Sequence, residues 1–289
     1  MSALDLQQLA LKANDIRTDI IDMISKAGSG HPGGSLSAAD ILTALYFADI
    51  LNYDPTDPDC ENRDRFVMAK GHAAPALYAT LAHAGFIAHD QLATLRKVGS
   101  ILQGHPDSNL CPGVEVSTGS LGQGLSIAAG MACGLRLNGS PSTVFALLGD
   151  GECEEGQVWE AAMFASHQDL GSLVAIIDNN ELQIDGCIHD VCDPGDLRQK
   201  FAAFGWDVVE VDGHDLAALV QTFTEAKQRA VASKGTGTPR AIIAHTVKGK
   251  GVSFMENQAG WHGKAPNADE TKAALDELSA ERSKIEGSN

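Results

Sequence analysis

The sequence predicts an α/β protein: a parallel sheet with helices on both faces. Three observations carry that expectation. Short β-branched, apolar runs alternate with stretches of helical periodicity along most of the chain. The runs at 142–148 and 173–177 are separated by the length of one crossover helix, so their strands should be parallel neighbours. Just past each run stands a loop of polar residues and glycine, Gly149-Asp150-Gly151 after the first and Asn179-Asn180 after the second. Open α/β sheets bind ligands at such strand ends.

Taken in order, the chain opens with helical periodicity over residues 3–27. Asp and Lys recur throughout the amphipathic segment from Ser2 to Lys26, which excludes a signal peptide or a membrane span. The helical pattern returns at 37–51, 73–84, 88–97 and 122–138, with a first strand near 66–69. Strands at 143–148 and 173–178 bracket a helix at 156–169. Strands at 207–211 and 241–246 follow, with helices at 196–204 and 215–233. The Gly/Ser/Thr-rich run at 233–239 reads as a loop before the last strand. These elements form one domain, 1–264; residues 265–289 are polar and Ala/Glu/Lys-rich, and read as an exposed helix with a frayed end.

At 289 residues and 44% apolar composition, the chain can bury a sizeable core. Its formal net charge of −17 argues against nucleic acid or an anionic membrane as partner. The six cysteines show no metal-like spacing and read as free thiols in a reducing cytoplasm.

Asp150 and Asn180 place a carboxylate and an amide oxygen at adjacent strand ends, a hard oxygen site suited to Mg²⁺, with Ca²⁺ also fitting. The flanking glycines let a phosphate approach the backbone, and a helix beginning near Glu155 would aim free N–H groups at it. Asp150 would repel a bare diphosphate, so a divalent ion must lie between them. A thiamine diphosphate site is built in this way. Five of the ten histidines adjoin a glycine, at His31, His72, His105, His214 and His262, as expected where backbone and imidazole both approach a ligand. His214, in Asp212-Gly213-His214-Asp215, reads as a structural turn.

These residues resemble the transketolases, specifically their N-terminal, diphosphate-binding half. The resemblance rests on Gly30-His31-Pro32-Gly33-Gly34, Lys70-Gly71-His72, Gln103-Gly104-His105-Pro106, Thr118-Gly119-Ser120-Leu121-Gly122-Gln123-Gly124, Gly149-Asp150-Gly151, Asp178-Asn179-Asn180 and Trp261-His262-Gly263-Lys264, in family order. It implies that Asp150, the Asn180 side chain and the Leu182 backbone oxygen ligate the metal. Gly151 and His72 would contact the diphosphate. Gly119, Ser120 and Leu121 would approach the aminopyrimidine end, Ile184 would pack beneath the cofactor rings, and Lys248 would approach the cofactor. His31, His105 and His262 would line the channel to the reactive carbon and move protons there. Glu155 would join a carboxylate network linking paired active sites. Glu152 and Glu154 depart from the usual family run and either flank the site or retune it.

In the family, a second domain supplies the glutamate that activates the cofactor and the arginines that hold the substrate phosphate. No such unit follows residue 264. The resemblance therefore implies the N-terminal half of a split transketolase, inert alone. It would transfer a two-carbon ketol unit from a ketose phosphate to an aldose phosphate within an α₂β₂-type assembly with a pyrimidine-half partner. The alternatives are another thiamine diphosphate enzyme, of the 1-deoxyxylulose-phosphate synthase or 2-oxo acid dehydrogenase E1 alpha type, or a non-catalytic cofactor-binding protein.

Overall fold

A computed structural model describes residues 4–287; Ser2 and Ala3 of the expected first helix, and residues 288–289 of the tail, lie outside it. The chain opens on α1 (Leu6–Ala27), held at its start by a reciprocal Asp5–Gln8 capping box and ended by Gly28 in the left-handed region. Next come α2 (Pro32–Ser37), α3 (Ala39–Phe47), β1 (Arg65–Met68), α4 (Ala74–Ala84), α5 (Gln123–Leu137) and β2 (Val144–Gly149). Then follow α6 (Gly156–His167), β3 (Leu173–Asn179), the two-residue strands β4 (Leu182–Gln183) and β5 (Gly186–Cys187), α7 (Ile188–Val191) and α8 (Leu197–Ala203). The chain finishes with β6 (Asp207–Asp212), α9 (Leu216–Ser233), β7 (Arg240–His245) and α10 (Ala268–Glu286).

The main sheet has the order β1-β2-β3-β7-β6, and every pairing in it is parallel. Strand periodicity divides its side chains between two cores. Phe66, Met68, Phe145, Leu147, Val174, Ile176 and Ile242 face the layer of α1, α3, α4 and α9. Val67, Ala146, Leu148, Ala175, Ile177 and Ile243 face the layer of α5, α6 and α8. The expected strands and the helices on both faces are present.

Three local expectations change. Helical periodicity at 37–51 marks only part of a helical segment that starts earlier, at Pro32, breaks at Ala38 and stops at Phe47. The run after His31 reads as a loop because of its two glycines. It is helical, with Pro32 in the first turn, and Gly33 serves close packing instead: a Cβ there would lie 3.0 Å from the Trp261 carbonyl oxygen. The segment 88–97 is a short 3₁₀ turn, His89–Thr94, followed by Arg96 at φ 57°. The C-terminal helix exists but is not simply exposed. Ala274 and Leu278 of α10 are buried, Asn14 donates to the Leu278 carbonyl at 3.1 Å, and Gln7 donates to that of Ile285 at 2.8 Å. Its polarity marks one face only.

Candidate active site

The carboxyl edge of the sheet gathers most of the expected residues. Gly149 of β2 pairs with Asp178 of β3, so Asp150 and Asn180 leave neighbouring strands side by side. Both are buried, Asp150 at 2% exposure and Asn180 at 6%. Asp150 accepts hydrogen bonds from the Gly151 N–H at 2.8 Å and from the Glu181 N–H. Burial, and next the negative charge of Asp178, push its carboxyl up to about 6. A divalent ion would reverse both effects.

Lys248, in the turn after β7, is only 2% exposed, and its Nζ donates to the Leu182 carbonyl at 2.7 Å and to Asn180 Oδ1 at 3.5 Å. Two of the three expected metal ligands thus already converge on a cation. Burial and the Lys70 charge lower the Lys248 ammonium to about 8. A carboxylate, an amide oxygen and a backbone carbonyl form the all-oxygen set that Mg²⁺ or Ca²⁺ takes.

A buried ion pair lies beneath these groups. Lys70, just past β1, pairs with Asp178, whose carboxylate also accepts from Ser37 at 2.6 Å and from Thr246. Burial alone would raise the Asp178 carboxyl, but the Lys70 ammonium and these hydrogen bonds hold it below its ordinary value. The pair ties β1, α2, β3 and the turn after β7 together under the site.

Three expected histidines meet above it. The His31 and His72 rings are 5.3 Å apart between centroids, His31 and His262 5.6 Å, and His72 and His262 stack at 5.0 Å. They come from the start of α2, the 3₁₀ turn after β1, and the turn after Trp261. Burial first, then neighbouring cations, lower His31 to about 4 and His262 to about 3, and hold His72 well below its ordinary value. All three are neutral near pH 7. Among the described residues the buried Nδ1 atoms of His31 and His262 have no hydrogen-bond partner, which leaves them open to a ligand's polar groups. Together with the oxygen set, these orphaned nitrogens fit a bound polar cofactor.

His105 stands apart, exposed on the rim, where a Cβ at Gly119 would lie 2.9 Å from its ring. That contact brings the Gly119-Ser120-Leu121 loop to the same edge. Ser120 and Leu121 are exposed, and so is Ile184, at 63%, in the turn between β4 and β5. Ile184 is thus no part of this chain's core, whereas Lys248 is buried rather than solvated. Glu155 is exposed as the N-cap of α6, with no capping hydrogen bond from its side chain.

Sequence reasoning passed over three contributors and left a fourth open. Lys70 and Asp178 lie inside the matching motifs, but only the fold pairs them. Arg96 donates to Ser29 Oγ at 2.8 Å and to the Gly104 carbonyl at 3.3 Å, and its charge helps to lower His31 and His105. It lay within a run read as helix, which hid its left-handed turn. Glu152, one of two glutamates left open, is buried, and burial pushes it to about 7; Glu154 accepts from the Gln183 amide. A separate cluster, Asp19 with His83 and His89, places both Nε2 atoms 2.9 Å from Asp19 Oδ2. Lys12 donates to His83 Nδ1 at 3.1 Å, which leaves the proton on Nε2, so this nitrogen is a donor to Asp19 rather than a free metal ligand.

The sequence matches the family described as "Transketolase, thiamine diphosphate binding domain" over residues 8–285. The chain belongs to the transketolase family. Among similar transketolase chains is one of the subunits of the apulose-4-phosphate transketolase of Phocaeicola vulgatus, 42% identical over 99% of both chains. The 6-deoxy-6-sulfo-D-fructose transketolase subunit SqwG of a Clostridium species is 42% identical over 96% of this chain and 98% of its own. The solved transketolase of Leishmania mexicana superposes with a TM-score of 0.82 at 29% identity, covering 99% of this chain and 46% of the other. This chain therefore spans the full length of relatives named as subunits and less than half of a single-chain transketolase.

Proposed function

We propose that this chain is the diphosphate-binding half of a two-chain transketolase, moving a two-carbon ketol unit from a ketose to an aldose. The observation that carries the reading is the meeting of the Asp150, Asn180 and Leu182 oxygens with His31, His72 and His262 at one sheet edge. Asp150, Asn180 and Leu182 would hold Mg²⁺, or Ca²⁺ in its place, and Lys248 would approach the cofactor. Gly151 and His72 would take the diphosphate, Gly119, Ser120 and Leu121 the aminopyrimidine end, and Ile184 the underside of the rings. Bound thiamine diphosphate supplies a carbon nucleophile and an electron sink that no side chain offers. His31 and His262, neutral imidazoles with orphaned nitrogens, hold or move protons at the sugar hydroxyls, with His105 at the rim. Glu155, exposed at the head of α6, would join a carboxylate network across the assembly.

The end-to-end match to proteins named as transketolase subunits supports a pyrimidine-half partner, in a heterotetramer with the cofactor between unlike chains. The names of those relatives contain a sugar phosphate and a sulfosugar. We extend that chemistry to this chain as a ketose with an anionic terminus. The unpaired cysteines fit a reducing cytoplasm, and among the described residues no helix is long and apolar enough to cross a membrane. The test is ketol transfer with Mg²⁺ and thiamine diphosphate, assayed for this chain alone and with its partner, on phosphorylated and sulfonated ketoses. Activity only in the mixture is expected. Turnover by the chain alone would overturn the two-chain reading.

A further inference from the structure

Glu152 stands in the 3₁₀ turn Gly151–Glu154, with its side chain folded inward at 3% exposure. Its two oxygens go to different segments. Oε1 accepts the Gly122 N–H at 3.0 Å, and Oε2 accepts the Gly149 N–H at 3.1 Å. Gly122 ends the Gly119-Ser120-Leu121 loop and caps α5 in the left-handed region, at φ 84°. Having no side chain, it offers its helix no cap of its own. Gly149 is the last residue of β2, directly before Asp150. One carboxylate therefore bridges the loop expected at the aminopyrimidine end of the cofactor and the loop expected at its metal–diphosphate end.

No neutral side chain of this size does the same. A glutamine has one acceptor oxygen, and its amide nitrogen would confront a backbone N–H, leaving a buried donor unpaired. An aspartate keeps both oxygens but is one methylene shorter, and reaches both amides only by drawing the loops together. We infer that Glu152 is a positioning residue that sets the span between the two cofactor-holding loops. This rests on the thiamine diphosphate reading above. A ligand touching both loops depends on that span, whereas one touching only the metal end does not.

The test compares two ligands on the assembled two-chain protein, each titrated calorimetrically with Mg²⁺: thiamine diphosphate, and inorganic pyrophosphate as a probe of the metal end alone. For Glu152→Gln, the dissociation constant of thiamine diphosphate is expected to rise about 10-fold or more, the worth of one buried hydrogen bond and an orphaned donor. That of pyrophosphate should stay within about threefold. Hydrogen exchange at the Gly122 amide should quicken in the same variant. Glu152→Asp should show the same selective loss, and carries the test if the glutamine variant does not fold. Equal losses for both ligands would reduce Glu152 to a support of the metal loop and overturn the inference, as would no loss for either. A wild-type assembly that binds pyrophosphate but not thiamine diphosphate would sink the cofactor reading itself, and this inference with it.

Discussion

Individual residues in this site are set among charges that shift their behaviour. Asp150 is buried near the equally buried Asp178, and the oxygens of Asn180 and Leu182 are occupied by the Lys248 ammonium. Replacing Asp150 with Ala should therefore abolish metal-dependent thiamine diphosphate binding by the two-chain protein, read by calorimetry with and without Mg²⁺; unchanged affinity would refute the metal assignment. The histidines give a pH prediction whose sign follows from burial. His31 and His262 titrate at about 4 and about 3 in the folded chain, against 6.5 ordinarily. Between those values the unfolded chain binds protons that the folded chain does not. Their contribution to stability is thus full above pH 6.5 and is lost as pH falls toward about 4 for His31 and about 3 for His262. Urea midpoints should drop as pH falls through that window, and His262→Asn should flatten the slope. Asp150, Asn180 and the histidines were legible in the sequence, because strand ends and Gly-His pairs are local patterns. Arg96 and the inward turn of Glu152 were not, since a local pattern does not tell which way a side chain faces.

At the scale of elements, two polar clusters fasten the loops that carry these residues. Lys70 and Asp178 join β1 to β3 where Ser37 and Thr246 also meet. Lys70→Met would leave a buried carboxylate without its cation, at a cost of roughly 3–5 kcal/mol. Equilibrium urea unfolding would measure this, and the double variant Lys70→Met/Asp178→Leu should recover part of the loss. The second cluster is Arg17, Asp40 and His214. Arg17 donates twice to Asp40, and its Nε donates to the Lys250 carbonyl at 3.1 Å. His214 Nε2 accepts from the Val247 N–H at 2.8 Å, so its Nδ1 proton goes to Asp40 at 2.7 Å. The expected structural turn is thus a brace for the segment that carries Lys248. Helix α10 adds a further layer behind α1. Leu278 is 1% exposed there, so Leu278→Ala should cost roughly 2–5 kcal/mol, visible as a lowered denaturation midpoint. A truly exposed tail would lose almost nothing. The composition of residues 265–289 concealed this, because so few apolar positions suffice to dock one face.

At the scale of the whole molecule, a chain of net charge −17 places two buried lysines, Lys70 and Lys248, under one edge of its sheet. A ligand that binds only the folded assembly stabilises it by mass action, about 2.7 kcal/mol at one hundred times its dissociation constant. Thiamine diphosphate with Mg²⁺ should accordingly raise the melting temperature of the two-chain protein, and EDTA should reverse the gain. A melting temperature indifferent to both would count against the site. The sequence by itself determined the α/β class, the strands and most helices, and the oxygen pair at two neighbouring strand ends. Periodicity, strand-end glycines and one crossover length are all short-range information. Only the tertiary structure decided the strand order β1-β2-β3-β7-β6, the Lys70–Asp178 pair and the reach of Glu152 to Gly122. The last two join residues 30 or more positions apart. Such contacts are chosen by how the layers pack around two cores, and no local pattern records that choice.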